Sequence, residues 1–113
     1  MDNVSEMSSS KLRKSITIQR REKEKDNDNI PIDVWKDLYT CRAFVENVST
    51  NEYIQDVGVE TIVSKVFYIR NIKRYKLNNK DRIVYNGRIY NIDPPEDLEE
   101  KGKYLKIKAK EIK

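Results

Sequence analysis

The strongest constraint on the fold is a β-hairpin pattern over Arg82–Ile92 (RIVYNGRIYNI). Apolar and polar residues alternate on both sides of Asn86-Gly87, as they do in half-buried strands. The Asn-Gly dipeptide readily adopts the positive φ angles of a type I′ turn, whose twist matches that of two antiparallel strands. The pattern therefore predicts a tight hairpin at the centre of a β-dominated fold.

Further segments carry strand patterns, with alternating residues or runs of β-branched and aromatic ones. They are Lys14–Arg21, Leu38–Val48, Val59–Arg70 and Tyr104–Ile112. Ordered structure is expected to resume at Ile30-Pro31-Ile32 after the charged segment. Pro31 restricts any strand there to a sheet edge because it has no N–H to donate. The polar segments between them predict charged loops over Glu22–Asn29 and Glu96–Lys103, and a connection over Asn71–Lys80 with Leu77 as its anchor.

Two segments carry mixed signals. Helical spacing of some apolar residues suits a helix in Val34–Val48, but the alternation of Tyr39, Cys41, Ala43 and Val45 favours a strand over Leu38–Val48. Ser49 is followed three residues later by Glu52, which is a capping-box pattern. It predicts a single helical turn within Ser49–Asp56, ended by Gly58.

These patterns predict an all-β fold, a small β-barrel or sandwich of five to six strands with a central hairpin and at most one short helix. Closing the sheet would hide its edges. The length of 113 residues suits one domain. We expect a flexible N-terminal tail over residues 1–11 and a β domain over residues 12–113. Trp35 and Cys41 are expected in the core.

The composition argues against an enzyme, a cofactor or a metal site. The chain has no histidine and one cysteine, which excludes an internal disulfide, a cysteine-rich metal site, a Ser–His pair and a histidine acid or base. Its carboxylates lie in runs such as Asp93–Glu100, which are typical of solvated faces. Glu22–Asn29 lacks the residue order of a calcium loop. The polar start and the short apolar runs predict cytoplasmic synthesis and no membrane partner.

Nucleic-acid binding is a competing hypothesis. Residues 65–88 carry eight cations and one acid, with tyrosines between them, as in an oligonucleotide-binding β-barrel. Lysine is also common on strand edges and tyrosine on half-buried strands, so the same residues suit a protein surface. Within this stretch we assign a possible interface, the basic patch, to Lys73, Arg74, Lys76 and Lys80.

Charge is segregated along the chain. Residues 22–60 carry ten acids and four bases, whereas residues 65–88 are basic. If these stretches lie at different ends of the molecule, head-to-tail packing into a ring is favoured, because such an interface joins two different surfaces. A solvated mixed surface is the simpler alternative, and charge alone does not choose between them.

An ordered series of motifs resembles the head–tail joining proteins of tailed bacteriophages, also called head closure or stopper proteins. The series consists of Leu12–Arg20 (LRKSITIQR), Trp35, Ala43-Phe44-Val45, Ser49–Tyr53 (STNEY), Ser64–Arg70 (SKVFYIR) and Asp81–Ile92 (DRIVYNGRIYNI). The resemblance spans about Leu12 to Ile112. Two features depart from the family pattern. Ser64 stands where the family usually has histidine, and Asn71–Lys80 is longer and more basic.

The resemblance implies a structural protein of the virion neck. Such proteins form a ring beneath the portal or an adaptor ring, close the DNA-filled head and provide the docking surface for the tail or tail-terminator protein. We expect the isolated chain to be monomeric, and assembly to occur in the host bacterial cytoplasm. Another phage or prophage neck or tail-completion protein is the first alternative, and an oligonucleotide-binding barrel is the second.

The resemblance also implies a loop after the second strand that projects into the channel, here at about Val48–Glu60. We assign an exposed closure loop near the packaged DNA to Asn51, Glu52, Tyr53, Gln55 and Asp56.

Overall fold

The protein is built almost entirely from antiparallel β-strands. The structure, a computed structural model, describes residues 7–54 and 58–112, and describes side chains outside residues 49–63. The strands are β1 Lys14–Lys25, β2 Pro31–Ile54, β3 Gly58–Arg70, β4 Arg82–Tyr85, β5 Arg88–Ile92, β6 Glu96–Asp97 and β7 Tyr104–Glu111. Short 3-10 turns cover Ser9–Lys11 and Leu98–Glu100.

Six of the strands close into a small barrel. The sheet order is β3-β2-β1-β4-β5-β7-β6, and a further pairing of β3 with β7 joins its two ends. The closed path is β1-β2-β3-β7-β5-β4, and β6 pairs with β7 beside it. The all-β prediction is confirmed. The strand number exceeds the predicted five to six because the two-residue β6 lies in the segment predicted to be a charged loop.

The central hairpin has the predicted turn. Asn86 and Gly87 have φ angles of 55° and 77° and connect β4 to β5 directly, with Tyr85 opposite Arg88. A Cβ atom added at Gly87 would meet no other atom within 4 Å. The need for glycine at this position is therefore conformational, not steric.

The core consists of the alternate, inward-facing residues of the strands. The inaccessible side chains include Ile16, Ile18, Phe67, Ile69, Ile83, Tyr90 and Ile107. Phe67 packs edge to face against Tyr90, with ring centroids 5.5 Å apart. Leu77, on the β3–β4 connection, is 8% exposed and joins the core cluster, which confirms it as the anchor of that segment.

Two ribbons extend beyond the barrel, one from each end of β2. The first arm pairs residues 20–25 of β1 with residues 31–36 of β2. The second arm pairs residues 49–54 of β2 with residues 58–63 of β3. Among the described residues, no other strand pairs with either arm. A bulge at Leu38 in β2 interrupts the β1–β2 register where the first arm begins, and bulges bend and twist a strand locally.

The first arm corrects the predicted loop over Glu22–Asn29. Residues 22–25 continue β1, and only Asp26–Asn29 forms the turn, where the Asp26 carboxylate accepts the backbone N–H groups of Asp28 and Ile30. Cross-strand ion pairs offset the charge of the ribbon. Lys23 lies 3.1 Å from Asp33, and Lys36 contacts Glu22 and Glu24. Pro31 begins β2 at an edge, as predicted.

The second arm replaces the predicted helical turn. Residues 49–54 continue β2 in register with β3, from Ser49 opposite Val63 to Ile54 opposite Gly58. The capping-box pattern was a local signal, and pairing with the returning strand outweighs it because each added residue pair gains ladder hydrogen bonds. The prediction of a helical turn is wrong for residues 49–54, and residues 55–57 lie outside the described part of the chain.

Candidate interaction surfaces

An ion pair between a half-buried arginine and a buried carboxylate holds the β3–β4 connection against the barrel. Asp81 is 3% exposed and accepts two hydrogen bonds from the Arg20 guanidinium, at 2.8 Å from Nε and 2.9 Å from the second nitrogen. Arg20 also donates to the backbone carbonyl of Lys76 at 2.8 Å. The hydrogen bond to Asp81 raises the pKa of Arg20. Arg20 therefore connects β1 to two points of the connection.

Local contacts fix the rest of this connection. The Tyr75 ring stacks on Tyr39 with centroids 4.8 Å apart and planes inclined by 15°. Asn78 closes the turn before β4, because its side-chain oxygen accepts the N–H of Lys80 and its backbone N–H donates to Asp81. With Leu77 in the core, the connection is anchored at several points despite having no strand of its own.

The basic patch lies on this anchored connection. Its four side chains are exposed, and none has a carboxylate within ion-pair distance among the described residues: Lys73, Arg74, Lys76 and Lys80. The Arg74 guanidinium lies 5.9 Å from the centroid of the Tyr75 ring. The four predicted residues therefore lie on one anchored segment with their side chains exposed, and their assignment as an interface stays a prediction.

The residues predicted for the closure loop lie at the end of the second arm. Asn51, Glu52 and Tyr53 lie on β2, opposite Thr61, Glu60 and Val59 of β3. Gln55 and Asp56 lie outside the described residues. The backbone that precedes them is thus a two-stranded ribbon, and their assignment to closure stays a prediction.

The environment of Trp35 was not predicted. Trp35 is half-buried outside the core cluster, on the first arm, so its assignment to the core is wrong. Arg82 lies over its ring at 4.0 Å from the centroid, and Arg21 lies 5.9 Å away. Burial lowers the pKa of Arg82, whose Nε donates to the side-chain oxygen of Gln19 at 2.8 Å. Only the strand register, which places Arg21 opposite Trp35, could have revealed this cluster.

The described part of the chain has neither a cluster of metal-ligating side chains nor a helix that could span a membrane. No group of three or more histidine, cysteine, aspartate or glutamate side chains is placed to hold a metal ion. No helix among these residues is long and apolar enough to cross a membrane.

Comparison with known proteins identifies the family. The family model described as phage head completion protein matches residues 7–112. The chain belongs to the phage head completion protein family. Membership confirms the resemblance to head closure proteins seen in the motif series. The protein is thus a structural protein of the virion that interacts with other virion proteins at the head–tail junction.

Solved structures share the fold of this protein. One is from the virion of a native gene transfer agent particle, with 16% identity, a TM-score of 0.67, and coverage of 89% of this chain and 96% of that chain. Another is the solution structure of a protein from Shigella flexneri 2a, with 28% identity, a TM-score of 0.65, and coverage of 93% and 96%. No curated protein sequence matches the chain.

Proposed function

We propose that the protein forms a ring beneath the portal or adaptor ring, closes the DNA-filled head and provides the surface on which the tail docks. The observation that carries this proposal is the pair of arms, attached to opposite ends of β2 on a barrel with a well-packed core. Such a molecule can contact neighbours at two separated places while its barrel keeps its shape. The family supplies the setting, the head–tail junction.

The second arm is the proposed closure element. Its six residue pairs, from Ser49–Val63 to Ile54–Gly58, give it a length of roughly 20 Å at about 3.3 Å per residue. A paired ribbon holds its tip further from the barrel than a compact turn would. We propose that this ribbon points into the channel and that its tip, with Asn51, Glu52, Tyr53, Gln55 and Asp56, lies near the packaged DNA.

The basic patch is proposed as a contact with a neighbouring protein. Exposed charges at the rim of an interface guide encounter and register, and each contributes about 0.2–1 kcal/mol. Arg20, Tyr39 and Leu77 anchor the connection. This anchoring lowers the entropy cost of binding a partner protein there, since the backbone is already ordered before binding. In this proposal the portal or adaptor ring contacts one side of the barrel, and the tail or tail-terminator protein contacts the other.

Deletion of Asn51–Asp56 tests the closure role. The deletion shortens the second arm without removing a residue of the core cluster, so the variant should remain soluble with little change in melting temperature. Phage carrying it should produce heads that lose packaged DNA or fail to join tails, measured by nuclease-accessible DNA and by electron microscopy of particles. Normal infectious particles would refute the closure role, and loss of soluble protein would indicate a structural role instead.

A further inference from the structure

One edge of β2 is open beside the barrel. β1 begins at Lys14, opposite Ala43, so residues 44–48 of β2 pair with β3 on one edge and with no described strand on the other. Every second residue of an unpaired strand edge directs its N–H and C=O groups away from the sheet. This edge can therefore accept another strand.

A cleft with a cationic rim lies along this edge. It has a volume of about 500 Å³ and is lined by Phe44 and Val45 of β2 and by Lys11, Arg13 and Lys14 from the start of the chain. Arg13 is held in place, because its Nε donates to the carbonyl of Ser10 at 3.1 Å and its own carbonyl accepts a hydrogen bond from Arg42. The rim favours an extended segment that carries acidic side chains.

The opposite end of the same four strands carries such a segment. In the order β2-β3-β7-β6, β6 is terminal and pairs only with β7 among the described strands. β6 consists of the exposed Glu96 and Asp97, and the turn after it adds Glu99 and Glu100. Lys108 lies 4.0 Å from Glu96 and Lys101 lies 3.0 Å from Glu99, but such ion pairs at the surface are weak and can exchange partners. The open edge of β6 thus presents carboxylates, and the open edge of β2 presents cations.

The two edges also match in direction and level. β2, β3, β7 and β6 alternate in direction, so β6 runs antiparallel to β2. A second copy in the same orientation would place its β2 antiparallel to this β6. Phe44, Tyr68, Lys106 and Glu96 lie in one row across the four strands. Because Ala43 is already paired with Lys14, β6 of one copy meets residues 44–48 of the next after a shift of about two residues along the strands.

We propose that β6 of one copy pairs with the open edge of β2, residues 44–48, of the next copy, and that Glu96 to Glu100 face Arg13 and Lys14 across the contact. The inference rests on the proposed ring and identifies the surfaces that close it. The contact is heterologous, since two different edges meet, and repetition generates a ring when the rotation closes. The short β6 limits it to a few hydrogen bonds, so the contact forms on a template ring and not between free chains in dilute solution.

Charge reversal at each edge provides the test. One variant is Arg13→Glu with Lys14→Glu, the second is Glu96→Lys with Glu100→Lys, and the third combines all four changes. Each is mixed with purified portal–adaptor complexes, and the bound chains are quantified by sedimentation. A matched control, Arg88→Glu with Lys110→Glu, makes the same charge change on exposed positions of β5 and β7, outside both edges and both arms. Circular dichroism verifies that every variant is folded.

The predicted pattern is specific to the paired edges. Compared with the wild type, either single-edge variant should need at least about tenfold more protein to half-saturate the portal–adaptor complexes. The reason is that several weak ion pairs become repulsive in each contact. The combined variant should recover most of the loss, a mixture of the two single-edge variants should assemble better than either alone, and the control should resemble the wild type. If the wild type assembles but the combined variant does not recover, the edge pairing is wrong and the proposed function still stands. Failure of the wild type to assemble would instead overturn the proposed function.

Discussion

The Arg20–Asp81 ion pair is the contact that attaches the most basic segment of the chain to the barrel. Its two hydrogen bonds are short, and the Asp81 carboxylate is almost completely buried. A carboxylate in such a place is tolerated because its partner satisfies it. An amide in its place carries no charge, offers the guanidinium one acceptor oxygen instead of two, and turns a second donor toward it.

The substitution Asp81→Asn should therefore destabilise the protein by about 2–4 kcal/mol, measured by urea denaturation. Asp33→Asn is the matched control, because Asp33 pairs with Lys23 at 3.1 Å on the exposed first arm. Asp33→Asn should lower the free energy of unfolding by less than about 1 kcal/mol. Equal effects of the two substitutions would contradict the anchoring role of Arg20–Asp81.

Cys41 gives a second residue-level prediction. Burial raises the pKa of its thiol to about 11, so the native thiolate fraction at pH 8 is about a hundredfold below that of an ordinary thiol. Labelling by a thiol reagent should be slow in the folded protein, accelerate about tenfold for each pH unit up to about pH 11, and be fast after unfolding in urea. Equal rates for folded and unfolded chains at pH 8 would argue against burial of Cys41.

Residue environments were predictable where one local pattern determines them. Leu77 is one of two aliphatic residues, with Ile72, in an otherwise polar connection, and its prediction as the anchor was correct. Trp35 was assigned to the core from its residue type, but it lies on an arm and stacks with Arg82, which is 47 positions later in the sequence. Tyr75 stacks on Tyr39 across a similar separation. Such contacts depend on the closed barrel, and no local pattern encodes them.

At the scale of elements, the β4–β5 hairpin is the most strongly encoded feature. The substitution Gly87→Val should lower stability by about 1–2 kcal/mol, because a β-branched residue resists the φ angle of 77° at this position. Asn86→Gly is the control, since glycine accepts the φ of 55° there, and it should change stability by less than about 1 kcal/mol. Thermal unfolding measures both, and an unchanged melting temperature for Gly87→Val would contradict the turn assignment.

The arms show where element prediction fails. Residues 22–25 were predicted to be a loop because they are all charged, and residues 49–54 were predicted to include a helical turn because of Ser49 and Glu52. Both are strands because each pairs with a segment that returns after a short turn. Cross-strand pairing depends on a partner that the window of a local pattern does not contain. The strands with alternation of their own, such as Lys14–Arg21, were predicted correctly.

For the whole molecule, the number of short strands predicted a small barrel or sandwich, but it did not predict the pairing of β3 with β7 that closes the barrel. The all-β class and the family were both evident in the order of the motifs. The placement of the candidate surfaces was predictable in part. The basic patch is a contiguous run in sequence, while the two open edges of β2 and β6 are separated by about fifty residues and become related only through β3 and β7.

The basic patch gives a prediction at this scale. Replacing Lys73, Arg74, Lys76 and Lys80 by glutamine should weaken association with connector rings. The wild-type protein should bind DNA weakly and without sequence preference, and this binding should vanish near physiological salt. Titration of duplex DNA at two salt concentrations measures it, since the logarithm of the binding constant falls with a slope of about −0.9 per neutralised phosphate. DNA binding that persists at physiological salt would favour the oligonucleotide-binding alternative.

Sedimentation of the purified protein at physiological salt, with and without portal–adaptor complexes, tests the central claim most directly. The isolated chain should sediment as a monomer, because exposed charges and short strand edges give each contact little free energy. With the connector complexes it should co-sediment as a saturable ring. The claim would be contradicted if the protein does not co-sediment with the connector complexes but binds DNA tightly and sequence-selectively under the same conditions.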